Sequence, residues 1–106
     1  MSMHTPGMEE RHAALAALSS RYVDVDALPW QDTPFPGIRI KVLMTDPDSG
    51  MQTVLTDMAP GSVLTDHEHT RVEQSWVISG RLVDHEGEVN AGQYVWRPAG
   101  SRHTAH

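Results

Sequence analysis

Gly61, His67, His69, Glu73 and Gly80 fall within one stretch, GSVLTDHEHTRVEQSWVISG, spaced Gly-x5-His-x-His-x3-Glu-x6-Gly. Twelve residues after Gly80 a second pattern begins, Gly92-x5-Pro98-x-Gly100-x2-His103, in GQYVWRPAGSRH. Between glycine-rich turns the two stretches supply three imidazoles and one carboxylate. That donor set suits a mononuclear metal site enclosed by a small β-barrel. Neutral imidazole and carboxylate accept Fe(II), Mn(II), Zn(II), Ni(II) or Cu(II), and no thiolate biases the site toward soft metals. Two histidines and one carboxylate with open positions form the facial arrangement of non-heme iron oxygenases. A third histidine leaves fewer open positions.

Strands must position these groups. Residues i and i+2 on a strand point to one face, so His67 and His69 can aim at a common point. Glu73 needs a short turn or a distorted stretch to return to that point, and His103 must arrive from a neighbouring strand. Glu73 to Ser79 reads as a strand with Ser75, Val77 and Ser79 on the face of Glu73, and with Trp76 and Ile78 on the other. The small residues leave space beside the metal; the bulky ones face a second layer or an interface. Tyr94 and Trp96 share a face that reads either as core or as the mouth of the metal cavity. Arg81 and Arg97 read as structural or solvated arginines, or as anchors for an anionic substrate. His85 sits beside a turn and reads as exposed. His106 follows His103 by three residues and reads as facing away from the metal.

Both stretches resemble, in residues and spacing, the two motifs of the cupin superfamily. The resemblance is strong from Gly61 to His106 and loose from Gly37 to Pro60. The phrases WVISGRLVDHEG and GQYVWRPAGSRHT are similar to a narrower group, that of the ChrR-type cupin, acetylacetone dioxygenase and 2,4'-dihydroxyacetophenone dioxygenase. The resemblance implies an all-β, single-domain cupin barrel of the double-sheet jelly-roll type, with metal ligation by His67, His69, Glu73 and His103. It implies one divalent ion per chain, Fe(II) favoured, with Zn, Mn, Ni and Cu also compatible. The narrower group implies an Fe(II)-type dioxygenase acting on a small enolisable diketone or hydroxyaryl ketone. The alternative is a non-catalytic Zn module, sensory or structural. A metal-free sugar isomerase is a third class, disfavoured by the full ligand set. The second cupin motif ordinarily continues past its histidine to an Asn and a further strand. The sequence here ends at His106, so a closing strand is expected to be missing.

At 106 residues the chain holds one domain, expected as an N-terminal tail and short helix over 1–20 and the barrel over 21–106. Thr5 is the expected N-cap of a helix from Met8 to Ser19, with Pro6 at its first position and Glu9 and Glu10 complementing its dipole. Arg21 to Asp26 reads as a strand, followed by a proline-rich connection through Pro29, Pro34 and Pro36. Trp30 there either pins the segment or lines a ligand pocket. Ile38 to Met44 and Gln52 to Met58 form a hairpin across the turn Asp46-Pro47-Asp48-Ser49-Gly50. The formal charge of −6 argues against nucleic acid or anionic membranes as partners; a small-molecule substrate is what the dioxygenase resemblance implies. No secretory signal pattern or run of 18 apolar residues occurs, and the absence of cysteine fits a cytoplasmic, reducing setting. An apolar fraction of 39%, with unpartnered terminal elements, leads to the expectation of a homodimer.

Overall fold

A computed structural model of the chain describes residues 3–68 and 71–106, with side chains at all of these except 65–68 and 103. It divides into two compact units, Met1–Pro34 with Ile38–Asp57, and Phe35–Gly37 with Met58–His106.

The first unit is built on three antiparallel strands in the order β1 (Gln31–Asp32), β2 (Ile38–Asp46), β3 (Met51–Met58). The β2–β3 turn closes by local hydrogen bonds. The Asp46 carboxylate accepts from the Asp48 amide at 3.1 Å and from the Ser49 hydroxyl at 2.7 Å, and Gly50 N–H reaches the Asp46 carbonyl at 2.7 Å. Ile38 and Val42 are buried, as their alternation predicts, but Lys41 on the opposite parity is buried too. Its Nζ lies over the Trp30 ring, 4.8 Å from the centroid, and donates to the Val25 carbonyl at 2.9 Å. Arg39 also lies over Trp30, at 4.5 Å. Trp30 is therefore clamped by two cations against β2, the pinning role among its two sequence readings.

Three expectations for this unit fail. The helix is one turn, α1 (Glu9–His12), not a run from Met8 to Ser19. Leu18 is 97% exposed, so the alanine-rich stretch buries no stripe there, and so short a helix does not persist without packing. Thr5 is not its N-cap. Its hydroxyl donates instead to the Leu43 carbonyl at 2.7 Å, and Met8 stands at the N-cap with no side-chain cap bond. Arg21 to Asp26 forms no strand. Tyr22 is 85% exposed, and Val25–Ala27 closes a 3-10 turn. A strand requires a neighbouring edge, and β2 is taken by Gln31–Asp32.

In the second unit β4 (Leu64–Glu68) pairs with β9 (Arg102–Ala105), β5 (Glu73–Trp76) with β8 (Tyr94–Arg97), and β6 (Arg81–Val83) with β7 (Glu88–Asn90), all antiparallel. Val83 and His106 exchange both backbone hydrogen bonds, at 2.6 and 2.8 Å, so the last residue carries the ladder from β9 onto β6. His106 thus extends the β9 pairing. Gly37, at φ +79°, is a tight spot of this unit: a Cβ there would stand 3.1 Å from Ser62 Cβ and 3.4 Å from Ala59 Cβ. Its carbonyl accepts from Ala59 N–H at 2.9 Å, holding the chain where it turns toward β4. The expected class is what is found: all-β, with one short α-helix near the N-terminus among the described residues.

Candidate metal centre

The β4–β9 register places His67 directly opposite His103. That pairing depends on an irregularity. Leu64 faces Ala105, three residues before His67 on β4 but only two after His103 on β9, so β4 carries one extra residue. In an unbroken ladder position 103 would face Asp66. Such bulges re-aim a strand and cluster near functional sites. Positions 103 and 105 share one face of β9, and Ala105 on that face is 2% exposed. The backbone thus brings two of the three predicted imidazole positions together on the buried face of one ladder. His69 lies outside the described residues, as do the side chains of His67 and His103.

Glu73 opens β5, opposite Arg97 of β8. Burial alternates along β5 as the period of two requires: Glu73, Ser75 and Val77 are half-buried, while Gln74, Trp76 and Ile78 are exposed. The Ser75 hydroxyl donates to Glu73 Oε1 at 3.3 Å, which confirms that the two share the inner face. Ser79 departs from the expectation: it is exposed, because the strand gives way to the turn at Gly80. Among the described residues no group of three His, Cys, Asp or Glu side chains is gathered to hold an ion. Of the four predicted ligands, only Glu73 has a described side chain.

Next to Glu73 in register stands a pair that the sequence reading missed. Arg97 Nη1 donates to Asp84 Oδ2 at 2.6 Å, with the two side chains 9% and 6% exposed. Asp84 Oδ1 accepts from the amides of Glu86 and Gly87 at 2.9 and 3.0 Å, closing the β6–β7 turn. Burial alone would raise the Asp84 pKa. The two amides and the Arg97 charge outweigh it, and the carboxyl titrates below its ordinary value. Asp84 three residues before Gly87, in DHEG, is a legible turn signal; the arginine it captures on β8 is not legible from spacing. Arg97 is therefore structural. Arg81 pairs across β6–β7 with Glu88 at 3.5 Å, both largely exposed. His85 is exposed, as expected.

Tyr94 and Trp96 are not core residues. They are 48% and 59% exposed, on the outer face of β8 with Trp76 and Gln74 opposite them. They edge a cavity of about 740 Å³ whose described lining includes Leu82, Asp84, Val89, Arg97 and Ser101.

An all-β domain in which two paired strands oppose motif histidines has the organisation of a cupin. The chain matches the ChrR Cupin-like domain over residues 18–106 and belongs to that family. The structure is similar to the crystal structure of a candidate acetylacetone dioxygenase from Methylibium petroleiphilum PM1. The TM-score is 0.77 at 25% sequence identity, covering 86% of this chain and 71% of that one. No curated protein matches the sequence. Among the described residues no helix is long and apolar enough to cross a membrane.

Proposed function

We propose that the chain is a mononuclear metal protein acting as a dioxygenase on a small enolisable diketone or hydroxyaryl ketone. The observation that carries the metal half is the bulged β4–β9 register, which sets position 67 against position 103 on a buried face. Three imidazoles and a carboxylate fit a borderline divalent ion, Fe(II) foremost and Zn(II), Mn(II), Ni(II) or Cu(II) by the same donor chemistry. His67, His69 and His103 would hold it, with Glu73 as fourth ligand or immediate neighbour. When bound, such an ion supplies Lewis-acid polarisation of a chelating carbonyl oxygen and, as Fe(II), redox access to dioxygen. The protein's own part is orientation. The Ser75 hydroxyl fixes one oxygen of Glu73, and the buried Asp84–Arg97 pair stiffens the strand across from it. Ser75 and Val77 keep the inner face of β5 free of bulk. The dioxygenase half rests on the likeness to the Methylibium protein and is a proposal about substrate class.

A second reading is a metal-binding module without catalysis, with Zn(II) as its ion. A closed four-ligand Zn site would be structural or regulatory.

Elemental analysis of protein purified without added metal tests the first half. We expect about one ion per chain, lost in His67→Ala and His103→Ala and released on acidification as the imidazoles protonate. Glu73→Gln should weaken binding less, since three imidazoles remain. Full metal content in both histidine variants would refute the site. An oxygen-electrode screen of β-diketones and hydroxyaryl ketones with the Fe(II) protein, blanked by His69→Ala, tests the second half. Native Zn and no uptake above the blank would establish the non-catalytic reading.

A further inference from the structure

β8 is an edge strand, and its free edge opens onto the cavity bordered by Tyr94 and Trp96. Its ladder with β5 has two strands, with no third among the described residues. Hydrogen-bond parity fixes which backbone groups are left over. Val77 N–H donates to the Gln93 carbonyl at 3.0 Å, and the Val77 carbonyl accepts from Gly92 N–H at 2.8 Å, so position 77 turns its backbone toward the β8 side. Alternation then makes Ser75–Val95 a bonded pair and leaves Trp76–Tyr94 and Gln74–Trp96 as non-bonded pairs. The amides and carbonyls of Tyr94 and Trp96 therefore point away from β5 and form an open edge. Both residues line the cavity of about 740 Å³, a volume inside the range of about 300–1,000 Å³ of ligand clefts.

We infer that this groove binds an extended basic peptide, which adds to the β8 edge as an antiparallel strand with alternating cationic and apolar side chains. Three features select that occupant. The first is the backbone. An extended chain supplies donors and acceptors at the spacing of the open groups on Tyr94 and Trp96. The three paired ladders of this unit are antiparallel, and that pairing is the more stable per residue. The second is the two faces of the edge. Peptide residues opposite Tyr94 and Trp96 share their outer face. There the Trp96 side chain is 59% exposed and presents its ring to a cation. The intervening peptide residues point inward, where Leu82, Val89 and Val95 line the cavity. The third is charge. Arg97 in the lining is neutralised by Asp84 at 2.6 Å. Glu86 and Glu88 also line it, and their partners are the exposed His85 at 3.9 Å and Arg81 at 3.5 Å. Exposed pairs of that kind hold weakly, so the two carboxylates leave the groove acidic and suit Lys or Arg.

The test uses the full chain as purified and the hexapeptide acetyl-KVKVKV-amide, followed by calorimetry and tryptophan emission. Saturable binding that weakens with added salt is expected. Two backbone-methylated peptides read the pairing. Lysines opposite Tyr94 and Trp96 turn their amides toward β8, so N-methylation of the lysines should weaken binding by about tenfold or more. N-methylation of the valines, whose amides face away from β8, should change it little. Trp96→Ala and the double variant Glu86→Gln/Glu88→Gln should each weaken binding, whereas Trp76→Ala, outside the cavity lining, should bind like the parent. All of these positions are exposed, and unchanged far-UV circular dichroism checks that the fold is kept. No saturable binding by the parent, as when something else already covers the edge, overturns the proposal. So does equal loss from the two methylated peptides, or equal binding of acetyl-EVEVEV-amide. Displacement of the peptide by an equimolar amount of spermidine also overturns it, because the groove would then be a site for cations without strand pairing.

Discussion

Removing Asp84 should destabilise this protein more than any other single change of a charged residue described above. The carboxylate and Arg97 are 2.6 Å apart at the closest atoms and both over nine-tenths buried. With charge centres about 4 Å apart and an effective dielectric near 20, the attraction is about 4 kcal/mol. Desolvating each ion costs several kcal/mol, so the pair as a whole contributes little net stability. Its loss on one side is another matter. Asp84→Ala leaves a guanidinium buried without its counter-charge and strips the acceptor from the amides of Glu86 and Gly87. The expected loss is about 3–5 kcal/mol, against a total of about 5–15 kcal/mol for a domain of this kind. Asp84→Asn keeps an acceptor for the turn amides and should lose less. Asp84→Leu with Arg97→Met removes both charges and should recover most of the loss. Urea unfolding followed by circular dichroism measures all three. The pH dependence carries a sign. The folded Asp84 pKa is depressed, so its stabilising contribution is complete above the ordinary carboxylate value near 3.9 and is lost as pH falls through the lowered folded value. The gap between parent and Asp84→Ala should be flat from pH 7 down to about 5 and should narrow below about 4. An Asp84→Ala variant within about 1 kcal/mol of the parent, or a double variant no better than the single, would refute the reasoning.

Two further outcomes follow from geometry. Gly37→Ala and Gly61→Ala both force a side chain to φ near +80°, at about 1–2 kcal/mol each. Gly37→Ala adds the contact at 3.1 Å with Ser62 Cβ, whereas nothing lies within 4 Å at Gly61. Thermal melts should rank Gly37→Ala as the more destabilised by on the order of 1 kcal/mol, and equal melting temperatures would count against the close approach. Trp30→Leu keeps apolar bulk but deletes the ring that Arg39 and Lys41 face, so urea midpoints should report a loss of about 1–2 kcal/mol; an unchanged midpoint would show that the cations are held by other contacts.

The class of fold was legible because its signals are local. The turns at Asp46–Gly50 and Pro98–Gly100, and the alternation from Glu73 to Val77, are consequences of short-range backbone chemistry, and each stands where the spacing puts it. The first unit was less legible because there tertiary partners overruled local preference. Thr5 has the chemistry of an N-cap, but its hydroxyl does more against the Leu43 carbonyl, and the stretch that was to be a long helix has no surface to bury. Lys41 has the polarity of an exposed strand position, yet the Trp30 ring and the Val25 carbonyl in the preceding segment give its ammonium partners that replace water.

The candidate site shows the same division more sharply. Residue types and the two glycine-bounded spacings identified the histidines, but they did so by assuming regular strands. With a regular β4, position 103 would face Asp66, and the parity that brings His67 to the buried face of β9 would be broken. The extra residue between Leu64 and His67 repairs the parity, and nothing in Thr65 or Asp66 announces it, since a bulge of this kind needs no glycine or proline. What forces it is the partner strand. Ala105 must lie inward, at 2% exposure, to close the ladder that His106 carries on to Val83. With Leu64 paired to Ala105, the two-residue step to position 103 can meet a histidine only if β4 takes three. The bulge is therefore a property of the paired strands together, and the ligand spacing in the sequence is correct because the ladder is not regular.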